Sequence, residues 1–512
     1  MNNIMSSVKT FEELKNHATE IVVDAVVVGS GAGGAVLAYK LAAAGKKVLI
    51  LEAGSYKPSS TFNEVFPDMI EMLYQDKGNQ ANSRGDLVIL QGQCVGGSTV
   101  VNGCVTFRVP DHILADWQKD FGLGNLTEAS LKPHFEEIER NLSVHENAPY
   151  EININSRLLQ KGADKLGWSV KPLKRNVKQC GLTGHCLSGC KTDRKQSMLV
   201  TYLPWALEHG AEIYANCRAE RIIASNGVAQ GIVAQVVDPA SGAVLNSLEI
   251  KANQVIVAAG AIQTPLLFQR SELGNSSGQV GKNFACHPST MVLAEFEQTV
   301  HAWRGAMLGV YIDEFENPEK GGFVLEGGGA GPMELGLTTE RGTGSEYLSF
   351  MERAKHYASC VTLIHDHNVG KVYQDGAKKV IEYDLSDADF ETMQKSFKAA
   401  AKAYFAAGAI RVFLPTVKKI TIERVEDIDA VVDALKNEAF TLRMVSYHPQ
   451  GTMRMGADKS NSVVDPYGQC HDLKNLYVAD ASLFPTSILV NPQLSVYALS
   501  SYIADHVLKG AG

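Results

Sequence analysis

From Val22 to Val28 the chain is apolar at every position but Asp24, and the run stops at Gly29. An almost unbroken run rich in β-branched residues predicts a strand buried on both faces. The alanine-rich segment Ala35–Ala44 follows and predicts a helix. Val48–Leu51 is a second short apolar run, ending at Glu52. Further on, Glu212–Tyr214, Gly231–Val237, Val244–Ile250 and Val255–Ala258 predict a meander of short strands, with Pro239-Ala240-Ser241-Gly242 as a turn between two of them. The runs Met291–Phe296, Met307–Tyr311, Gly322–Leu325, Cys360–Ile364, Val369–Tyr373 and Lys379–Tyr383 predict an antiparallel sheet in a second domain. Residues 128–167 read as helices of mixed charge, and 387–406 as a long helix. Leu476–Asp480 reads as a late strand ending in an acid, and the polar stretch Tyr74–Gly85 as a loop. No internal repeat or low-complexity tract interrupts this order. The pattern predicts an α/β fold in which two domains alternate along the chain.

Chemistry enters at the end of the first strand. Gly29, Gly31 and Gly34 stand at G-x-G-x-x-G spacing between a strand and a helix, and Glu52 closes the second strand. That is the βαβ unit of a dinucleotide site. Gly29 permits the tight turn, Gly31 lets backbone approach a pyrophosphate, and Gly34 lets helix pack on strand. The helix N-terminus offers N–H groups to phosphate, and Glu52 can accept hydrogen bonds from an adenosine ribose. Composition narrows the partners. The 512 residues exceed one simple core, and a net charge of -8 without any basic stripe excludes nucleic acid as the expected partner. No apolar run reaches the roughly 18 residues of a membrane span. The polar N-terminus lacks the plan of a secretion signal, so a cytoplasmic location is expected. Nine cysteines, an odd number, suit a reducing compartment.

Four blocks, in order, resemble the glucose–methanol–choline (GMC) oxidoreductases, a family of FAD-dependent alcohol-oxidising enzymes. They are Gly29–Glu52; Gly96-Gly97-Ser98 with Asn102-Gly103, continuing to Arg108-Val109-Pro110-Asp111 and Trp117; Val257–Pro265; and Tyr447-His448-Pro449 with Gly451–Gly456, Val478–Pro485 and Asn491-Pro492. The resemblance covers about residues 22–508. It implies a Rossmann-type FAD-binding domain (21–127, 205–288 and 440–512) interleaved with a substrate domain (128–204 and 289–439), after an N-terminal arm (1–20). It places Gly96, Gly97, Ser98, Asn102 and Gly103 along a flavin, Ala219 at the adenine end, and Asp480 near the ribityl and pyrophosphate. It makes His448 the active-site histidine and Asn491 its neighbour. Oxidising an alcohol removes the hydroxyl proton and delivers a hydride to flavin N5; the protein supplies orientation and a base. Histidine suits the proton step, and asparagine can hold the substrate oxygen. A hydrophobic alcohol is the expected substrate and a sugar or polyol the alternative. A non-redox FAD-containing hydroxynitrile lyase and a flavin-binding carrier are the rivals. The electron acceptor, whether oxygen, a quinone or a redox protein, is not legible. His287 and the trio His365, Asp366 and His367 read as side issues, since one such pair lacks a third metal ligand.

Cys180, Cys186 and Cys190 fall within one polar, glycine-bearing loop at C-x5-C-x3-C spacing. Three thiolates can hold a three-iron (3Fe-4S) cluster. The loop resembles that of bacterial FAD-dependent glucose dehydrogenases, though without their cysteine doublet. The sequel Lys195–Ala206 resembles long-chain alcohol oxidases instead. Zinc with His185, or three reduced thiols, remain open alternatives. The expectation carried forward is a cluster draining electrons from the flavin. No C-x-x-C-H heme-attachment motif is present, so any further relay must lie on another protein.

Overall fold

The computed structural model describes residues 3–510 except 330, 339–341 and 368. The predicted βαβ unit is present as β1 (Glu20–Val28), α1 (Ala32–Ala43) and β2 (Val48–Leu51), with β1 and β2 parallel. β3 (Glu212–Tyr214) adds a parallel edge beyond β2. β4 (Cys217–Ser225) and β5 (Val228–Val237) form an antiparallel hairpin on the other side.

Between the two halves lies β6 (Val244–Val257). The sequence pattern gave two strands here; the structure has one of 14 residues. The polar residues between the predicted runs alternate, so Leu248, Ile250 and Ala252 face inward while Glu249 and Lys251 face out. An alternating strand with one wet edge reads as a break when only continuous apolar runs are counted. β6 pairs antiparallel with β5 and parallel with β1, in register from Glu20↔Glu249 to Val28↔Val257. The late strand Leu476–Val478 pairs parallel with the last three residues of β6. The seven-stranded sheet so formed is mostly parallel at its centre, and its core is lined by Val26, Val27, Leu49, Ile50, Val255 and Ile256.

The second sheet has nine strands. Its centre is β7 (Ser289–Glu295), β8 (Val310–Ile312), β9 (Phe323–Gly327) and β10 (Tyr357–Ile364), all antiparallel neighbours in the order β7-β10-β9-β8. The predicted runs at Val369–Tyr373 and Lys379–Tyr383 instead make a separate hairpin, Lys371–Asp375 with Lys378–Glu382. The long helix Asp387–Ala407 packs its Phe390, Met393, Phe397 and Tyr404 on this sheet. Ser386 caps it by accepting from Asp389 N. Tyr74–Gly85 is a tied loop: Asn82 binds Asp86 and the Tyr383 carbonyl, and Lys379 reaches Asp76.

β1, β6 and Leu476–Val478 all end on one side of the first sheet, at Gly29, Ala258 and Ala479. In open parallel sheets the carboxyl ends of strands are where ligands bind.

Candidate active site

Gly29 follows β1 with φ +100, a conformation L side chains rarely adopt, and any Cβ there would strike the Ala258 carbonyl. Gly31 caps α1 in extended conformation. A Cβ on Gly34 would collide with the Gly29 carbonyl, so the third motif glycine sits behind the turn rather than at its surface. Gly33 was not singled out by the motif. Its missing Cβ is where the Ala479 carbonyl rests, so α1 lies directly on the end of the late strand. Glu52 is buried; Oε2 accepts from Ser30 N (3.1 Å) and Ser30 Oγ (2.6 Å), and Oε1 from Gly54 N (2.8 Å). Burial holds its carboxyl above the usual range against those donors.

A cavity of about 1160 Å³ begins at this turn. Pockets for one small ligand span about 300–1,000 Å³, so the space suits a dinucleotide and a second molecule. Gly29, Gly31, Glu52, Gly97, Ser98, Asn102, Gly103, Ala219, Asp480, His448 and Asn491 all line it. Gly34 and Gly96 stand behind the wall. Gly31, Ala32 and Gly33 reach it at the first turn of α1, where helix N–H groups have no intrahelical acceptor. Asp480 knits the wall: Oδ2 accepts from Gly260 N (2.8 Å) and Thr264 Oγ1 (2.6 Å), and Oδ1 from Ser482 N (2.8 Å). Asn102 donates to Gln493 Oε1 (2.7 Å) and accepts from Cys104 N (3.1 Å). The glycine cradle, the helix terminus and the buried acid fit the adenosine and pyrophosphate of FAD.

At the other end of the cavity His448 and Asn491 meet, Nε2 to Nδ2 3.4 Å. Sequence reasoning set His287 aside, yet its ring lies against His448, Nδ1 to Nδ1 3.3 Å. The Ile488 N–H donates to His287 Nε2 (3.2 Å), and so does the Gln450 amide (3.0 Å). The amide's orientation is fixed because it also donates to the His448 carbonyl (3.1 Å). A neutral His287 therefore carries its proton on Nδ1 and offers it to His448 Nδ1. Asn491 Nδ2 can only donate as well, so a neutral His448 accepts either from His287 at Nδ1 or from Asn491 at Nε2, and the two tautomers exclude one another. Burial keeps both rings neutral, taking His448 down to about 3 and His287 well below the ordinary value. Glu326, on β9, also lines the cavity and was not foreseen. It is buried, hydrogen-bonded by Asn491, and burial raises its carboxyl to about 8. Asp366, of the histidine-flanked trio, accepts from the backbone of Cys286 and His287 and from Tyr383, which makes it a buttress under the same cluster.

The cysteine loop does not behave as expected. Cys180 Sγ lies 3.6 Å from an Arg175 nitrogen, Cys190 Sγ faces Thr192 Oγ1 and the Lys195 N–H, and Cys186 Sγ lies 3.8 Å from Cys104 Sγ. The three thiols each have a different partner. Among the described residues no three His, Cys, Asp or Glu side chains are grouped to hold a metal. Cys180, Cys186 and Cys190 do not fit a 3Fe-4S cluster. The spacing alone could not reveal that Cys186 turns away, toward a cysteine 82 positions earlier.

Two family models, both described as GMC oxidoreductase, match residues 23–289 and 367–500. An uncharacterized GMC-type oxidoreductase of Mycobacterium tuberculosis is 34% identical over 490 residues, 95% of this chain and 76% of its own. A long-chain-alcohol oxidase of Arabidopsis thaliana is 27% identical over 97% of this chain and 70% of its own. Among solved structures, pyridoxine 4-oxidase from Mesorbium loti superposes with TM-score 0.71 at 19% identity, over 95% of this chain and 99% of that one. Formate oxidase from Aspergillus oryzae gives 0.72 at 17%, over 96% and 99%.

Proposed function

Since this chain belongs to the GMC oxidoreductase family, a family of FAD-dependent oxidoreductases, we propose that it oxidises the hydroxyl of a hydrophobic alcohol at the His448–Asn491 end of its cavity. One observation carries the reading: a single cavity joins the glycine turn to that pair. FAD, when bound, supplies the hydride acceptor. Gly29, Gly31, Glu52, Asn102 and Asp480 would hold it. Met291, Leu308, Val361 and Leu363 line the far end and favour an apolar substrate, in keeping with the relatives named long-chain-alcohol oxidases.

His448 and Asn491 meet the hydroxyl and fix its oxygen, which sets the carbon for hydride loss. The family resemblance makes His448 the base. A second assignment follows when His448 accepts from His287 at Nδ1: it then meets the oxygen with Nε2–H as donor, and Glu326 takes the proton. The two differ in pH dependence. A histidine base that titrates near 3 leaves anaerobic flavin reduction flat from pH 5 to 9. A Glu326 base makes the rate rise tenfold per unit below about 8 and level above it.

Anaerobic addition of an alcohol panel tests the function itself. Bleaching of the flavin by medium and long alkanols supports it. Bleaching only by sugars or polyols favours the second substrate class, and no bleaching by any alcohol overturns the reading in favour of a lyase or carrier. Re-oxidation of the bleached enzyme by oxygen, a quinone or a redox protein then identifies the acceptor.

A further inference from the structure

The thiol pair Cys104–Cys186 is left unused by the chemistry above, and its setting is specific. Cys104 follows the loop Gly96–Gly103 along the cavity, and it lines the cavity itself. It holds φ +59, uncommon for a residue with a side chain, fixed by its N–H on Asn102 Oδ1. That conformation aims its sulfur at Cys186, 3.8 Å away. Cys186 is half-buried and flanked by cations. Buried Lys195 donates to the carbonyls of Val100 (2.6 Å), Asn102 (3.0 Å) and Cys186 (2.8 Å). Arg175, fully buried, lies close to Cys104, Cys180 and Cys186 and pairs with Glu151 at 3.3 Å. Positive charge beside a thiol favours the thiolate, which is the reactive form. The two cations act on both sulfurs, and the Cys104 S–H donates to Cys186, which leaves the negative charge on Cys186. One sulfur is thus set up to attack and the other to resolve.

We propose that Cys104 and Cys186 are a peroxide-reactive dithiol whose disulfide staples the cavity loop to the cysteine loop. The Cys186 thiolate attacks hydrogen peroxide; an S–O bond forms, the O–O bond breaks, and one water leaves after protonation. The Cys104 sulfur then attacks the Cys186 sulfur; the S–S bond forms, the S–O bond breaks, and a second water leaves. Two thiols give two electrons to the peroxide. Tyr74 already bridges the two loops, its hydroxyl donating to the Leu187 carbonyl (2.7 Å) and lying 3.3 Å from the Val101 carbonyl, so the disulfide closes a contact that is already made. The inference does not depend on which alcohol is oxidised.

The test is peptide mapping of the flavin-loaded protein after a few equivalents of hydrogen peroxide without substrate. Expected are one cross-linked peptide pair containing Cys104 and Cys186, loss of two of the nine thiols titratable in denaturant, and full reversal by dithiothreitol. Cys104→Ser is expected to stop at a sulfenic acid on Cys186 that dimedone traps. Cys186→Ser is expected to leave Cys104 unmodified. A cross-link between other cysteines, irreversible oxidation of Cys186 in the unmutated protein without any cross-link, or iron with acid-labile sulfide in anaerobically prepared protein would each overturn the proposal. The mapping of the unmutated protein decides the matter even where a variant folds poorly.

Discussion

Glu326 has a carboxylate oxygen, Oε1, that finds no hydrogen-bond partner among the described residues, in a side chain that is itself buried. A lone carboxylate in that position costs several kcal/mol unless it is protonated or solvated by a ligand. Glu326→Gln is therefore expected to abolish the rise of flavin reduction toward pH 8 and to slow the step by roughly 10²- to 10⁴-fold, the usual worth of a general base. Rapid-mixing reduction across pH checks it, and an unchanged profile returns the proton to His448. His448→Asn is expected to slow reduction while keeping the flavin, since its ring borders the far end of the cavity. His448 also carries a stability signature. Its folded value lies below its unfolded one, so the unfolded chain binds the proton first, and stability falls as pH drops below about 6.5. Relative to His448→Asn, the unmutated protein is expected to lose about 1.4 kcal/mol per pH unit between pH 6 and 4, read from denaturant melts of both. Parallel melts would show that the ring is not buried as a neutral group. The sequence made His448 and Asn491 visible because they sit inside a motif. Glu326 and His287 were not, because Phe-Val-Leu-Glu-Gly is an ordinary strand end and a histidine before proline an ordinary turn; only the pairing of β7 with β10 and of β9 with β10 brings them to one place.

At the scale of elements, the βαβ unit was legible because its local signals agree: β-branched strand, glycine turn, alanine helix, acid. β6 was not, because a strand whose two halves serve different neighbours has two patterns. The seam between α1 and the late strand was invisible too, since the glycine that permits it touches a carbonyl over 400 positions away. Gly33→Ala is expected to push α1 off Ala479 and cost about 1–3 kcal/mol by overpacking. Flavin per chain, measured by absorbance after denaturation, is expected to fall well below one while Gly124→Ala, with open space around it and no left-handed backbone, leaves the flavin in place. Full flavin in Gly33→Ala would mean the seam can give.

At the scale of the whole molecule, the alternation between two sheets was readable as a change of apolar period, while the side on which they share a cavity was not. Closing that cavity takes strands from three distant stretches: β1 near the start, β6 near the middle, and Leu476–Val478 near the end. Such a site has a timetable. A ribosome delivers the glycine turn first, but Ala479 and Asp480, against which Gly33 and Gly260 rest, emerge more than 400 residues later. Domains that fold during synthesis do so as their contacts become available. The nascent chain is thus committed to wait: its first sheet lacks a central neighbour, and the nucleotide lacks one wall, until translation has passed Asp480. A chain ended at residue 470 is expected to collect no flavin in cells, and stalled ribosome complexes of that length are expected to remain protease-sensitive even with excess FAD. Cofactor loading in this protein waits for the ribosome to pass Asp480.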